Sequence, residues 1–340
     1  MNTATMKQHA TKLTAAEISQ LWGAYMNDSM SSRFLEYFSN TVEDEAVAGL
    51  IEQALKLSQN HITELSKLLK KEHWMVPMGF TDADVNLDAP PLYSDSFVLF
   101  YLQELGTLGM NLYALSITLS ARDDVRRYFI DCLRESTELF EKTQQLLLEK
   151  GLYIRAPYIP STDEMTFVRN DSYLGGWFGT QRPLSAIEIT NLYKNRQRNE
   201  LGEKLILGFS QVAENEQVRS FMKKGHAIAK KHVSIFGSQM TKDNLPASET
   251  WDTMVSTSTE APFSDKLMMF HTTSFIGLSI SFYATAISTS LRKDLTSNYA
   301  RLITEIMKYA NDGAKIMIKN GWMEQPPQAA DRDQLTRERG

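Results

Sequence analysis

The sequence contains one cysteine, Cys132. A single thiol excludes an intrachain disulfide framework and any multi-cysteine zinc site within one chain. Glycine (17) and proline (10) are sparse for 340 residues, so little interrupts long helices. There is no basic excess. The net charge is −5, which speaks against a nucleic-acid binder. The opening residues, Met1 to Lys12, hold no apolar run, so no secretory signal is expected and the expected location is cytoplasmic. Also missing are a Gly-x-Ser-x-Gly elbow, a Walker loop and a Gly-x-Gly-x-x-Gly turn, and with them the common acyl-transfer and nucleotide templates. What is present is ordinary globular composition, 42% apolar and 23% charged, enough for two domains.

The chain repeats itself. Thr14-Ala15-Ala16-Glu17-Ile18 matches Ser185-Ala186-Ile187-Glu188-Ile189 at an offset of 171. The same offset pairs Trp22 with Tyr193, Phe38 with Phe209 and His61 with His232. After a one-residue deletion the offset is 170, and it pairs Ser94-Asp95 with Ser264-Asp265, Tyr113 with Tyr283, Arg122 with Arg292 and Gly151 with Gly321. One offset held over this length marks a tandem duplication, with repeats at 13–150 and 184–321, a linker at 151–183 and a polar tail at 322–340.

Each repeat reads as four helices. The first opens with a capping box, Thr14 with Glu17 and Ser185 with Glu188. The second spans about 43–73 and 214–240, the third starts at Ser94 and Ser264, and the fourth runs about 122–150 and 292–320. The fourth helices end at Gly151 and Gly321, suited to the C′ position. Helices one and two are tightly joined, as are three and four. The middle loop of about twenty residues can reach roughly 60–70 Å, more than the length of a 28-residue helix at about 42 Å. It can therefore cross the whole bundle, the ferritin-like arrangement. An up-down-up-down bundle with a slack loop is the alternative.

The stretch from Leu267 to Leu291 has no Asp, Glu, Lys or Arg and is long enough to span a bilayer. Its nine Ser/Thr residues, its His271 and its lack of an aromatic belt favour a central bundle helix, so membrane insertion is not expected.

Three segments carry a resemblance. They are Tyr173-Leu174-Gly175-Gly176-Trp177-Phe178-Gly179 with Arg182-Pro183-Leu184, Pro262-Phe263-Ser264-Asp265 through His271-Thr272-Thr273, and Ile316 to Trp322 with Gln325 to Ala329. The chain resembles an uncharacterised two-repeat, ferritin-like family of spore-forming bacteria (a domain-of-unknown-function family), similar to spore coat protein F. The resemblance covers about Leu13 to Ala330. It implies an all-α fold of two tandem ferritin-like four-helix bundles, each with one long crossover loop. It brings no reaction.

Diiron bundles need Glu-x-x-His on two helices, and the sequence has none: Ser58 precedes His61, Ala229 precedes His232 and Met268 precedes His271 at that spacing. Glu17 and Glu188 are explained as caps. Glu135, Glu138 and Glu141 align with Glu305, Lys308 and Asn311. No catalytic residue, cofactor or metal is therefore expected. A degenerate metal or small-ligand site would draw on His61, Glu104, His232 and His271. Each has a plainer reading. The histidines would be buried rings bonded to a neighbouring helix, with Ser or Thr as partner for His271, and Glu104 would pair with a cation such as Arg122 or Lys142. Cys132 reads as a core or surface thiol. The linker, rich in aromatics (Tyr153, Tyr158, Phe167, Tyr173, Trp177, Phe178), should fold onto a bundle or fill the groove between the two, or else dock a partner, and the tail from about Gln325 should be disordered.

The expected function is a non-enzymatic structural or interaction protein, associated through the resemblance with the spore. Its partners would be spore coat components or further copies of itself, not nucleic acid. A membrane-associated helical protein is the remaining alternative.

Overall fold

The computed structural model describes residues 11–175, 181–247 and 254–337. Among them, bundle 1 comprises α1 (Ala15–Thr41), α2 (Glu45–Lys71), α3 (Asp95–Leu119) and α4 (Asp123–Glu149). Bundle 2 comprises α5 (Ala186–Val212), α6 (Glu216–Lys242), α7 (Asp265–Thr289) and α8 (Lys293–Lys319). A short α9 (Arg332–Arg337) follows. The expected all-α architecture is present. The linker positions Trp177 and Phe178 lie outside the described residues.

Both capping boxes form, and their glutamates do more than cap. Glu17 closes the box with Thr14 and also accepts from the backbone N–H of Arg122 at 2.7 Å, tying the start of α1 to the start of α4. Glu188 does the same for α5 and α8, accepting from the N–H of Arg292 at 3.1 Å and from both terminal nitrogens of Arg182 at 2.8 Å. Gly151 and Gly321 both stand at φ +68°, the left-handed conformation their place after α4 and α8 requires.

The crossover is visible in one carboxylate. Asp95, at the first position of α3, accepts from the backbone N–H groups of Glu43 and Asp44, just ahead of α2. Both helices therefore start at the same end and run parallel, and the loop between them travels the bundle's length. Asp265 holds Glu214 and Asn215 in the same way.

The two crossover loops clasp each other. Val85 bridges Phe263 while Tyr93 bridges Val255, antiparallel in both cases. Asn86 N–H donates to the Pro262 carbonyl (2.8 Å) and Ser256 N–H to the Leu92 carbonyl (2.9 Å). At the 170-residue offset these are the same contacts with the roles exchanged, which is the definition of an isologous interface. Phe34, Phe209 and Phe263 fill its centre, the Phe34 and Phe263 rings lying 4.1 Å apart.

The arms after α4 and α8 also trade sides. The hydroxyl of Tyr193 in bundle 2 donates to the carbonyl of Ile154. Glu324, past the end of bundle 2, accepts from the N–H groups of Met78 and Gly79 in bundle 1. Glu324 thus anchors the chain just ahead of the polar tail that begins at Gln325, because it finds unpaired backbone donors. Among its described residues the linker packs inward only near its ends. Leu152 to Ile154 pack on the core and Tyr173 stacks beneath Arg182, but residues 158–172 are exposed throughout.

α7 is long and apolar enough to cross a membrane. Here it packs in bundle 2 and buries Leu267, Met268, Met269 and His271, with small residues such as Gly277 and Ser281 outward.

Candidate functional site

The four candidates named from sequence fall at three separate places. Glu104 lies between the bundles and pairs with Arg198 at 2.7 Å. That corrects the expected partners Arg122 and Lys142. Arg122 instead binds Asp124 and Glu72 at its own helix end, and Lys142 reaches Gln53. His271 is fully buried, and its partner is the hydroxyl of Tyr101 at 3.0 Å rather than a Ser or Thr. Burial in this aromatic setting pushes its pKa down to about 3, so the ring is neutral.

His61 and His232 occupy equivalent positions inside their bundles but meet different chemistry. His61 on α2 has Asp28 of α1 against Nδ1 (3.2 Å) and Glu135 of α4 against Nε2 (2.8 Å). The Cys132 thiol, one turn before Glu135 on the same face of α4, also contacts the ring. Burial opposes the charged form of His61, yet the Asp28 charge and the hydrogen bonds around the ring outweigh it and raise its pKa far above the ordinary value. The Cys132 thiol is pushed up by burial. The rings of Tyr113 and Tyr128 present themselves edge-on to the imidazole.

In bundle 2 the aspartate becomes Asn199 and the cysteine becomes Leu302. His232 accordingly bonds Tyr283 (2.9 Å) and Glu305 (3.1 Å), and Glu305 is shared with Lys231. With one carboxylate fewer and a lysine nearby, burial dominates and lowers the pKa of His232. The duplication has kept the His and Glu of this site in both halves and the Asp and Cys in one.

Two buried oxygens in bundle 1 lack hydrogen bonds, Asp28 Oδ2 and the Tyr128 hydroxyl. Both flank the His61 cluster, and a buried unsatisfied polar atom is costly unless something else meets it. Beside them lies a cavity of about 300 Å³, lined by Asp28, His61, Gly109, Tyr113 and Ser136, with Phe275 of α7 closing one side. Small residues make the space. The positions equivalent to Ser136, Gly106 and Gly23 are Ile306, Ile276 and Lys194 in bundle 2, which put side-chain bulk there.

Asp28 and Cys132 escaped sequence reasoning. Asp28 sits in a run of serines, and Cys132 has no histidine near it in sequence. The readable signal was the contrast between the repeats. Two positions lose their metal-binding or charged side chain in bundle 2 while the His and Glu between them stay.

No curated protein is recognisably similar to the chain. Among solved structures, a protein from Bacillus halodurans C-125 described as a candidate spore coat protein is 21% identical. The similarity covers 45% of this chain and 99% of that one, with a TM-score of 0.43. The profile of a family of proteins of unknown function, DUF3231, matches residues 1–165 and matches again over residues 172–335. The chain belongs to the DUF3231 family and carries two copies of its module in tandem.

Proposed function

We propose that the chain is a non-enzymatic structural and interaction protein of the spore. The observation that supports this most is the reciprocal clasp, in which two crossover loops and two exchanged arms lock the bundles into one block. The second copy of the internal site has exchanged its aspartate for Asn199 and its cysteine for Leu302 while its share of the clasp is intact, so the interface rather than duplicated chemistry accounts for both halves. The exposed linker side chains Tyr158, Met165 and Phe167 offer apolar surface to a protein partner. The test is a tagged chain followed through sporulation. Enrichment in purified spores, reduced when Tyr158 and Phe167 are both replaced by Ser, is the expected result. A chain left wholly in the mother-cell lysate overturns the reading.

The cavity in bundle 1 favours a second reading, a receptor for one small, largely apolar ligand. Its volume is at the lower end of ligand pockets. A thermal-shift panel of small apolar compounds should give a stabilising hit that is lost in Ser136→Ile, the residue bundle 2 carries there. No hit, or one that survives the substitution, rejects it.

A further inference from the structure

We propose that His61, Cys132 and Glu135 form a mononuclear site for a divalent, thiolate-binding cation of the zinc class, with Asp28 orienting the histidine, and that bundle 2 has lost the corresponding site. One donor atom from each of the three side chains lies within 4.8 Å of the others. Two ligands on a tetrahedral zinc stand roughly 3.5 Å apart, so modest side-chain rotations close the set. Three ligands from α2 and α4 leave a fourth position for water or a small ligand, and the adjoining cavity provides room for one.

Asp28 supplies the arrangement expected around a metal-bound histidine. Its Oδ1 faces Nδ1, which fixes the proton there and leaves Nε2 for the metal, as a carboxylate does behind many ligating imidazoles. Its Oδ2 has no hydrogen bond, so this buried carboxylate is only half satisfied in the free protein. A thiolate, an imidazole and one carboxylate suit a borderline cation and not magnesium or calcium, which take oxygen ligands.

The charges balance. In the free protein each ring nitrogen of His61 lies within hydrogen-bond distance of a carboxylate oxygen, Nδ1 of Asp28 and Nε2 of Glu135, so a proton sits in each contact, and Cys132 brings its thiol proton. A dication displaces the Nε2 proton and the thiol proton, and both leave to solvent. Two positive charges arrive, two protons depart, and the net charge of the cluster is unchanged. Nothing is oxidised or reduced.

Bundle 2 supplies the control residues. Leu302 and Asn199 stand where Cys132 and Asp28 stand, so Cys132→Leu and Asp28→Asn are changes this fold already tolerates. The experiment uses full-length chain stripped with chelator and titrated with cobalt(II) and, separately, zinc. The expected result is one zinc per chain by mass spectrometry and a thiolate-to-cobalt charge-transfer band. Both should vanish in Cys132→Leu, and affinity should fall about 10–100-fold in Asp28→Asn. His232→Ala should retain the band. Circular dichroism and melting curves matching the wild type establish that each variant is folded. No charge-transfer band in the wild type, or stoichiometric zinc retained in folded Cys132→Leu, overturns the proposal.

Discussion

Tyr101 and His271 occupy the same position in the two repeats and hydrogen-bond to each other across the interface, hydroxyl to Nε2 at 3.0 Å. In a dimer of identical chains this position would face itself, tyrosine on tyrosine or histidine on histidine. Fusion lets the phenol O–H donate to a neutral imidazole nitrogen. Phe34 meets the ring edge-on and Phe275 stacks on it. His271 Nδ1 has no partner, so the Tyr101 bond is the one that meets the desolvation cost of this ring. Tyr101→Phe should destabilise the chain by about 1–3 kcal/mol in urea unfolding. A loss below a few tenths would show that the pair contributes packing alone.

The same histidine makes the fold acid-sensitive. Its folded pKa is about 3, against about 6.5 for an unfolded chain. As pH falls below 6.5 the unfolded chain takes up a proton that the folded chain refuses, so stability declines toward pH 3. The slope from this one group is at most about 1.4 kcal/mol per pH unit. Glu188 adds a separate loss at lower pH. Burial pushes its pKa up, but the bonds from Arg182, Ser185 and Arg292 outweigh that and hold it at about 2, so its contribution is present above 4.5 and lost between 4.5 and 2. Unfolding free energies measured from pH 7 to 4 should give a positive slope that flattens in His271→Phe. An unchanged slope would assign the acid sensitivity elsewhere.

His61 and His232 should titrate in opposite directions although they are equivalent in sequence. In metal-free protein the ring of His61 should remain doubly protonated at pH 8, whereas that of His232 should lose its proton below the ordinary histidine value. The ring-nitrogen shifts in NMR distinguish the two states directly. For stability the signs oppose as well. The contribution of His61 is complete below pH 6.5 and is lost as pH rises toward its raised folded value, while His232 behaves as His271 does. Matching titrations would mean that Asn199 and Leu302 do not alter the site.

Glu188 joins the starts of α5 and α8 through Arg182 and the N–H groups of Leu291 and Arg292, and it is almost wholly buried. Glu188→Ala removes the counter-charge of Arg182, which keeps the Tyr173 and Pro183 carbonyls as hydrogen-bond partners, and leaves two helix-end donors unpaired. The expected cost is about 3–5 kcal/mol by chemical denaturation. A cost near 1 kcal/mol would reduce its role to the capping box alone.

The exposed linker separates connection from cohesion. Arg169 lies in the exposed stretch, so brief trypsin treatment should cut there first. The halves should still co-elute in gel filtration, held by the reciprocal loops and arms. Separate elution would show that the covalent link maintains the pair.

Much of this architecture was legible because its causes are local. Capping boxes, the C′ glycines and the helical spacing of apolar residues each act within one or two turns, and the 170-residue offset showed every element twice. The crossover was legible from loop length alone. What stayed hidden depends on which helix faces meet. Glu104 and Arg198 come together only through docking of the bundles. Cys132 reaches His61 only because α4 lies against α2 with that register. Glu324 finds two amides more than 240 residues earlier in the chain. No periodicity within a segment encodes such pairings.

The arm exchange has a consequence for biosynthesis. Bundle 1 leaves the ribosome first, yet the Glu324 carboxylate and the Pro326–Ala329 segment that lies near Trp22 and Trp74 are translated last. At 5–20 residues per second, roughly 170 residues separate the end of bundle 1 from those contacts, a delay of about 10–35 s. During that interval half of the isologous surface, with the aromatic face of Phe34, Phe38 and Tyr93, has no partner in its own chain. A nascent bundle 1 on one ribosome presents to a neighbouring nascent chain the very surface that bundle 2 will later cover, so crowded translation would favour pairing between chains over pairing within one.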